Sequence, residues 1–343
     1  MGLQNVRNAK SYGAPPAAVT SPVSGTSLLS VWNLQAVGTG SIGPYTNGTL
    51  MPATPVPDST TNMPPYLRDT GLAKWGNNYG TAPTLFFNIG ASTVNVSNYD
   101  FSNSPYTLIN GTGTITFTNC LFSRLGTNGT QTAISGPSDI NGNITLTYGS
   151  TLTINFVNCT FLNSAFYGGS GTWNFSYCKF QDMKQGAGDT YQANLSFNWC
   201  YFPGIGVSPF RDGHVELTQF NGNSPATLSI TNCMIDLSAN GQARTPFPGG
   251  TTGWTAIFAF NGATPATVLI DSNIMIGLTA INANPLWLNS TPYCLTLTAG
   301  AWNTVTNNIM ESGSVGYLTG KASGTFSGNR TYANVALTAA DFS

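Results

Sequence analysis

Ile115-Thr116-Phe117-Thr118-Asn119-Cys120-Leu121-Phe122 returns 39 residues later as Ile154-Asn155-Phe156-Val157-Asn158-Cys159-Thr160-Phe161. Both stretches read apolar, x, apolar, x, Asn, Cys, x, Phe. Looser copies run Trp173-x-Phe175-x-Tyr177-Cys178-x-Phe180, Leu195-x-Phe197-x-Trp199-Cys200-x-Phe202 and Leu228-x-Ile230-x-Asn232-Cys233-x-Ile235. Copies without cysteine flank them: Val94-x-Val96-x-Asn98-Tyr99-x-Phe101 before, Val268-x-Ile270-x-Ser272-Asn273-x-Met275 and Val305-x-Asn307-Asn308-x-Met310 after. A self-similar phrase of this kind defines an architecture before any local propensity does.

Apolar residues two apart mark a strand with both side chains on one face. Parity holds from Ile115 to Phe117 and from Cys120 to Phe122, but slips by one between Phe117 and Cys120. A flat strand would throw the second pair to the opposite face. The slip vanishes if the chain turns a corner at Thr118-Asn119, and Asn tolerates the left-handed backbone that such a corner needs. Tyr177 and Trp199 at the corner are weaker choices for that conformation. Corner-to-corner steps from Asn98 are 21, 39, 19, 22, 33, 40 and 35 residues. Steps near twenty suit one coil of three short strands; longer ones hold an insertion or a further coil. Ile144-Thr145-Leu146-Thr147-Tyr148, inside the step from 119 to 158, inclines that step toward an added strand layer.

A longer repeat agrees. Gln219-Phe220-Asn221-Gly222-x-x-Pro225-Ala226-Thr227 returns as Ala259-Phe260-Asn261-Gly262-x-x-Pro265-Ala266-Thr267. Stacking like on like lets a solenoid bury a core that no single repeat could bury. The expected fold is all-β, a parallel β-helix over residues 86–335, with an extended Pro-rich arm at 1–85 and a C-terminal tail at 336–343.

On these phrases the chain resembles the right-handed parallel β-helix superfamily, which includes pectate-lyase-like enzymes and phage tailspikes. The resemblance rests on architecture and on the Asn-Cys-x-Phe texture. It implies the fold far more strongly than an activity.

Charged residues are 7% of the 343, against about 25% in an ordinary soluble domain. The net charge of −1 gives no electrostatic case for nucleic acid or an anionic membrane. No apolar run is long enough to span a bilayer, so no membrane insertion is expected. Five of the six cysteines share one column of the repeat, with Cys294 apart, and read as small buried residues rather than disulfides or zinc ligands. Met1 to Arg7 lead into no signal-peptide core. The arm carries Pro15-Pro16, Pro22, Pro44, Pro52, Pro55, Pro57 and Pro64-Pro65. Alone such a segment stays extended, so its expected role is to dock on another chain.

The sole histidine stands in Arg211-Asp212-Gly213-His214-Val215-Glu216-Leu217-Thr218-Gln219. Strand alternation groups Asp212, His214 and Glu216 on one face, with Val215 and Leu217 on the other. β-Helical enzymes of the resembled superfamily carry catalytic groups in such lines, so these three are candidate catalytic residues. Asp212 and Glu216 would be ~13 Å apart at ~3.3 Å per residue, beyond the ~5–9.5 Å that glycosidases use. A partner carboxylate would come from a neighbouring coil, with Asp189 and Asp182 available. Arg211 and Lys184 offer a cation, and Trp254, the position equivalent to His214 one repeat on, offers a sugar-stacking platform. No acidic cluster matches the calcium site of pectate lyases, and no cofactor is expected. The plain alternative is a surface salt-bridge patch or an inter-subunit contact.

The sequence thus points first to a structural, surface-exposed bacteriophage virion protein at the virion surface: a spike, fibre or decoration protein. Its expected partners are other virion proteins, its own copies (a trimer by resemblance to tailspikes) and host polysaccharide. The rival is a β-helical polysaccharide lyase or glycoside hydrolase, free or as a tailspike depolymerase. An ice-binding or adhesin solenoid ranks third, because uneven coil lengths speak against a regular Thr array.

Overall fold

The computed structural model describes residues 67–69, 84–97, 106–123, 144–146, 151–162, 166–181, 189–203, 218–221, 227–236, 258–261, 267–276, 293–296, 302–312, 316–319, 324–331 and 334–342. Within them the chain is all-β, its strands gathered in a 17-stranded and an 8-stranded sheet. Strand pairing is parallel except where Leu67–Asp69 lies antiparallel on Thr84–Gly90 and where Arg330 bridges Ala336. This is a β-solenoid, consistent with a parallel β-helix. Among the described residues each coil contributes a first and a middle strand, and every coil from the second onward a third strand as well.

The middle strands are Thr93–Ser97, Thr114–Thr118, Thr153–Val157, the later part of Phe166–Ser176 and of Asp189–Asn198, Thr227–Thr231, Thr267–Asp271, Trp302–Thr306 and Gly324–Ser327. The alternation read in the phrase appears as burial: in Thr114–Thr118, Ile115 and Phe117 are sealed while the threonines between them are not. The third strands, such as Leu121–Ser123, Thr160–Leu162 and Lys179–Gln181, stack as the separate 8-stranded sheet.

Every described corner lies where the parity slip required, while Asn98 lies outside the described residues. Asn119, Asn158, Tyr177, Trp199, Asn232, Ser272 and Asn307 all have φ between 54 and 58°. A non-glycine residue in this conformation costs roughly 1–2 kcal/mol, least for Asn. Tyr177 and Trp199 adopt it too, against their intrinsic preference. Trp199 is only 4% exposed, in an apolar cluster with Tyr177, Tyr201, Met234 and Ile274 outside the main core. Burying a large apolar side chain gains about 1.5–3 kcal/mol, enough to offset the strained backbone.

The long step from Asn119 to Asn158 is a single coil, not the added layer that Ile144–Tyr148 suggested. Ile144–Leu146 pairs with the first strand Tyr106–Gly111 on one side and with Phe166–Ser176 on the other. Thr114–Thr118 pairs directly with Thr153–Val157. The extra residues therefore leave the coil between a third strand and the next first strand, where they do not disturb register. The forty-residue repeat behaves as expected: Gln219, Phe220 and Asn221 pair with Ala259, Phe260 and Asn261, and Thr227 with Thr267.

Two stacks of phenylalanine fill the interior. Phe117, Phe156, Phe175 and Phe197 stack at 5.2, 4.9 and 4.8 Å between ring centres. Phe122, Phe161, Phe180 and Phe202 stack beside them at 5.1, 4.8 and 4.5 Å. The stacks meet edge to face, as at Phe117 and Phe122, and each such aromatic pair adds about 0.5–1.5 kcal/mol beyond burial. Further along, Ile230, Ile270 and Val305 continue one stack, and Ile235, Met275 and Met310 the other, all buried.

Directly after each corner comes a column that changes chemistry along the solenoid: Cys120, Cys159, Cys178, Cys200 and Cys233, then Asn273, Asn308 and Asn329, all buried. Asn273 Oδ1 accepts from the Cys233 N–H at 2.8 Å, and its Nδ2 donates to the Ile230 carbonyl at 2.8 Å. Asn308 does the same for the Asn273 N–H and the Ile270 carbonyl, and Asn329 for the Asn308 N–H and the Val305 carbonyl. Each side chain thus clips the corner of the preceding coil. The thiols reach the same points less closely: Cys159 to the Phe117 carbonyl, Cys178 to Phe156, and Cys200 to Phe175 at 3.4–3.5 Å. Cys233 Sγ accepts from the Cys200 N–H at 3.3 Å.

Two glycines mark places where no Cβ fits. Gly171 (φ 110°) would drive a Cβ into the Leu152 carbonyl oxygen, and Gly328 (φ 70°), the corner of the last coil, would meet the Asn307 side chain. Beyond that coil a short 3-10 turn, Ala339–Phe342, folds over the open end. Phe342, 5% exposed, stacks on Phe326 at 5.2 Å and leans on Tyr317 at 6.1 Å. It is a terminal cap of the kind a solenoid needs. The residues expected as a tail, 336–343, include this cap. Asp341 fastens it by accepting from the Thr338 N–H at 2.7 Å and hydroxyl at 2.8 Å.

Asn273→Leu strands the Cys233 N–H in the core and removes the bonds to the Ile230 carbonyl and Asn308 Oδ1. It should cost about 3 kcal/mol in urea unfolding, since each buried polar group left alone costs about 1–3 kcal/mol. The bonds from Thr338 hold the Asp341 carboxyl below its usual range. A depressed acid stabilises fully above its unfolded pKa and loses that contribution as pH falls through the folded one. Asp341→Asn should therefore leave a shallower fall of melting temperature on the acid side in a pH series.

Candidate functional site

The middle strands turn three columns of short polar side chains outward. The first contains Thr93, Thr114, Thr153, Thr172, Asn194, Thr227 and Thr267, one to a coil and in direct register. The second runs Asn95, Thr116, Asn155, Asn174, Ser196, Ser229 and Leu269, and the third Ser97, Thr118, Val157, Ser176, Asn198, Thr231, Asp271 and Thr306. In the first five coils the members of all three columns range from part-buried to exposed. Rows along the face are set by the strand spacing of ~4.8 Å.

Neighbouring coils are laced across this face. Asn155 Nδ2 donates to Thr116 Oγ1 at 3.2 Å, and Asn174 Nδ2 to Asn155 Oδ1 at 3.0 Å. Asn198 Oδ1 accepts from Thr231 Oγ1 and Asn232 Nδ2, both at 3.1 Å. At the corner, Asn158 Nδ2 reaches Asn119 Oδ1 at 2.6 Å. Such bonds fix the side chains in one rotamer, so the face presents a set array of hydroxyls and amides.

Asp271 is the one ionisable side chain in the three columns. Its Oδ1 accepts from Thr306 Oγ1 at 2.5 Å and Asn307 Nδ2 at 2.9 Å, and its Oδ2 from Ser272 Oγ at 3.0 Å. Both of its oxygens are thus engaged, and the described columns present hydroxyls and amides beside it. Among the described residues no group of three His, Cys, Asp or Glu is placed to hold a metal.

Of the residues expected from sequence, Arg211, Asp212, His214, Glu216 and Trp254 lie outside the described residues, as do Asp182 and Lys184. Asp189 opens the strand Asp189–Asn198 and pairs with Tyr167 before it and Gln219 after it. It is thus one coil away from Gln219, the last residue of the charged stretch. The sequence reading passed over the outward face. Its signal was present in the x positions of the phrase, where Thr114-x-Thr116-x-Thr118 and Thr172-x-Asn174-x-Ser176 alternate with the core residues. The uneven coil lengths that spoke against a regular array do not reach these strands.

The cysteine column is the other candidate for chemistry. The five thiols are free, and all are fully buried. Burial pushes Cys178 and Cys233 well above the usual thiol range, and their thiol neighbours push them further. Against the same burial, hydrogen bonds from neighbouring thiols pull Cys159 and Cys200 the other way, below the usual range, so what closes all five to a reagent or a metal is their burial.

No known protein family, no curated protein and no solved structure matches the chain.

Iodoacetamide at pH 8 should leave Cys120, Cys159, Cys178, Cys200 and Cys233 unmodified in the native protein and alkylate all five after denaturation, read by peptide mass spectrometry. Labelling of any of them in the folded state would contradict the sealed column.

Proposed function

We propose that this chain is a structural, surface-exposed component of a bacteriophage virion: a spike, fibre or decoration protein on a right-handed parallel β-helix. The reading is carried by the polarity of the solenoid. One end is closed by the Phe342 cap, while at the other Leu67–Asp69 lies on the first coil and leads back into the Pro-rich arm. A solenoid capped after its last coil, with a Pro-rich sequence preceding its first, suits a protein anchored at one end and presented at the other. The reduced, sealed thiols fit assembly in a reducing cytoplasm followed by release, since exported proteins meet an oxidising compartment. Contact with host glycan is assigned to Arg211 and Trp254, in the stretches that depart from the repeat.

Deleting residues 1–75 should abolish incorporation into particles and leave the β-solenoid folded by circular dichroism. Incorporation that survives the deletion would sink the anchoring role. Cleavage of host polysaccharide, read as falling viscosity or new absorbance from unsaturated sugars and lost in His214→Ala and Glu216→Ala, would replace this reading with the depolymerase.

A further inference from the structure

We propose that the outward face of the middle strands pairs with the same face of a second copy of this chain about a two-fold axis. Charge is the first argument. A two-fold axis lays a surface against itself, so any charge on it meets its own kind. The three columns contain one ionisable side chain, Asp271, near one end and already engaged by Ser272, Thr306 and Asn307. Exposed strands commonly carry lysines and other charges that prevent association. Here the outward columns have no cation and instead include part-buried Val157 and Leu269.

Shape is the second argument. Through the first seven coils the columns are Thr, Ser and Asn except at Val157, Leu269 and Asp271, so the side chains are short and of similar height and are held in register by the bonds between coils. In the eighth coil the first column passes to Trp302. Stacked rows of identical short side chains are what two sheets need to interdigitate at ~10 Å separation. Area is the third. Nine strands at ~4.8 Å and five residues at ~3.3 Å give on the order of 600 Å² per copy. The total of about 1,200 Å² meets the lower bound for a specific stable interface.

The middle of the stack falls at the fifth coil, so Ser196 lies beside the two-fold axis, with Asn174 of each copy opposite Ser229 of the other. The arrangement is two-fold and therefore differs from the trimer that resemblance to tailspikes implies. It does not depend on the proposed function: particle incorporation reads the arm, and the mass of the free protein reads this face.

The full-length chain should sediment at twice 36.0 kDa. Ser196→Lys places two ammonium groups across the axis and should weaken association by about 100-fold while leaving the circular dichroism unchanged. Ser196→Cys should form a disulfide-linked dimer on mild oxidation, whereas Arg330→Cys, exposed but off the face, should not. A monomer at 100 µM, a trimer, a dimer untouched by Ser196→Lys, or Ser196→Cys that fails to cross-link would each overturn the pairing. Loss of host-glycan binding in Ser196→Lys at unchanged mass would overturn it as well, and assign the face to a ligand.

Discussion

Each coil has to bring its chain round one corner at a residue with positive φ, and the corner has to leave no backbone group stranded in the core. The residue at the corner and the residue after it meet these two demands separately. Asn, Ser, Tyr or Trp takes the left-handed conformation, and Cys or Asn reaches back to the corner before. Everything else follows from this joint. Because it holds the middle and third strands at one fixed angle, Phe117 and Phe122 meet edge to face, and so does every pair stacked on them. Were the corner to open, both aromatic stacks would lose their partners together.

The column after the corner uses two chemistries for one task. Asn satisfies an N–H and a carbonyl with strong bonds near 2.8 Å; a thiol is a poor donor and makes longer contacts. Cys120, Cys159, Cys178 and Cys200 stand in the coils of the aromatic stacks, Cys233 in the first coil where Ile230 and Ile235 replace them, and Asn273 and Asn308 in the coils of Ile270, Met275, Val305 and Met310. Where stacked rings already hold the coils together a weak clip suffices. In the two coils of Asn273 and Asn308, where aliphatic side chains replace the rings, the column supplies the stronger bonds.

The fold was legible because its signal is repeated. Parity between Phe117 and Cys120 called for a left-handed corner, and the described corners, Gly328 among them, have one. Tyr177 and Trp199 looked wrong for that conformation because the energy offsetting them is tertiary: packing against Met234 and Ile274, which are remote in sequence. The step from 119 to 158 was misread for a related reason. Ile144–Leu146 has the composition of a strand, but only pairing tells whether a strand adds a layer or belongs to one. The outward face was written in the spaces between core residues, where Thr, Ser and Asn carry little local signal, so register was needed to align them. Arg211, Asp212, His214, Glu216 and Trp254 depart from the repeat, and for that reason the repeat gives no purchase on how they are arranged.

Charged residues are only 7% of the chain. Stacking supplies a reason inside the molecule. In a solenoid a residue type repeated at one position forms a column with ~4.8 Å between neighbours. Like charges at that distance repel by about 3.5 kcal/mol at an effective dielectric constant of 20, and by nearly 1 kcal/mol even in water. A repeat that duplicated a lysine or an aspartate through nine coils would lose more than most domains have to spare. Hydroxyls and amides have the opposite property, because each is donor and acceptor and bonds to its own kind, as Asn174 does to Asn155 and Asn158 to Asn119. Charges in the stacked strands obey this rule, as at Asp189 between Tyr167 and Gln219. Lys179 stands between Thr160 and Tyr201, Asp271 between Thr231 and Thr306, Asp236 between Pro203 and Ile276, and Arg330 follows Ile309. None has a like charge above or below it. The composition is therefore a consequence of building like upon like. A neutral face that bonds to itself from coil to coil is, for the same reason, suited to bond to itself in another copy.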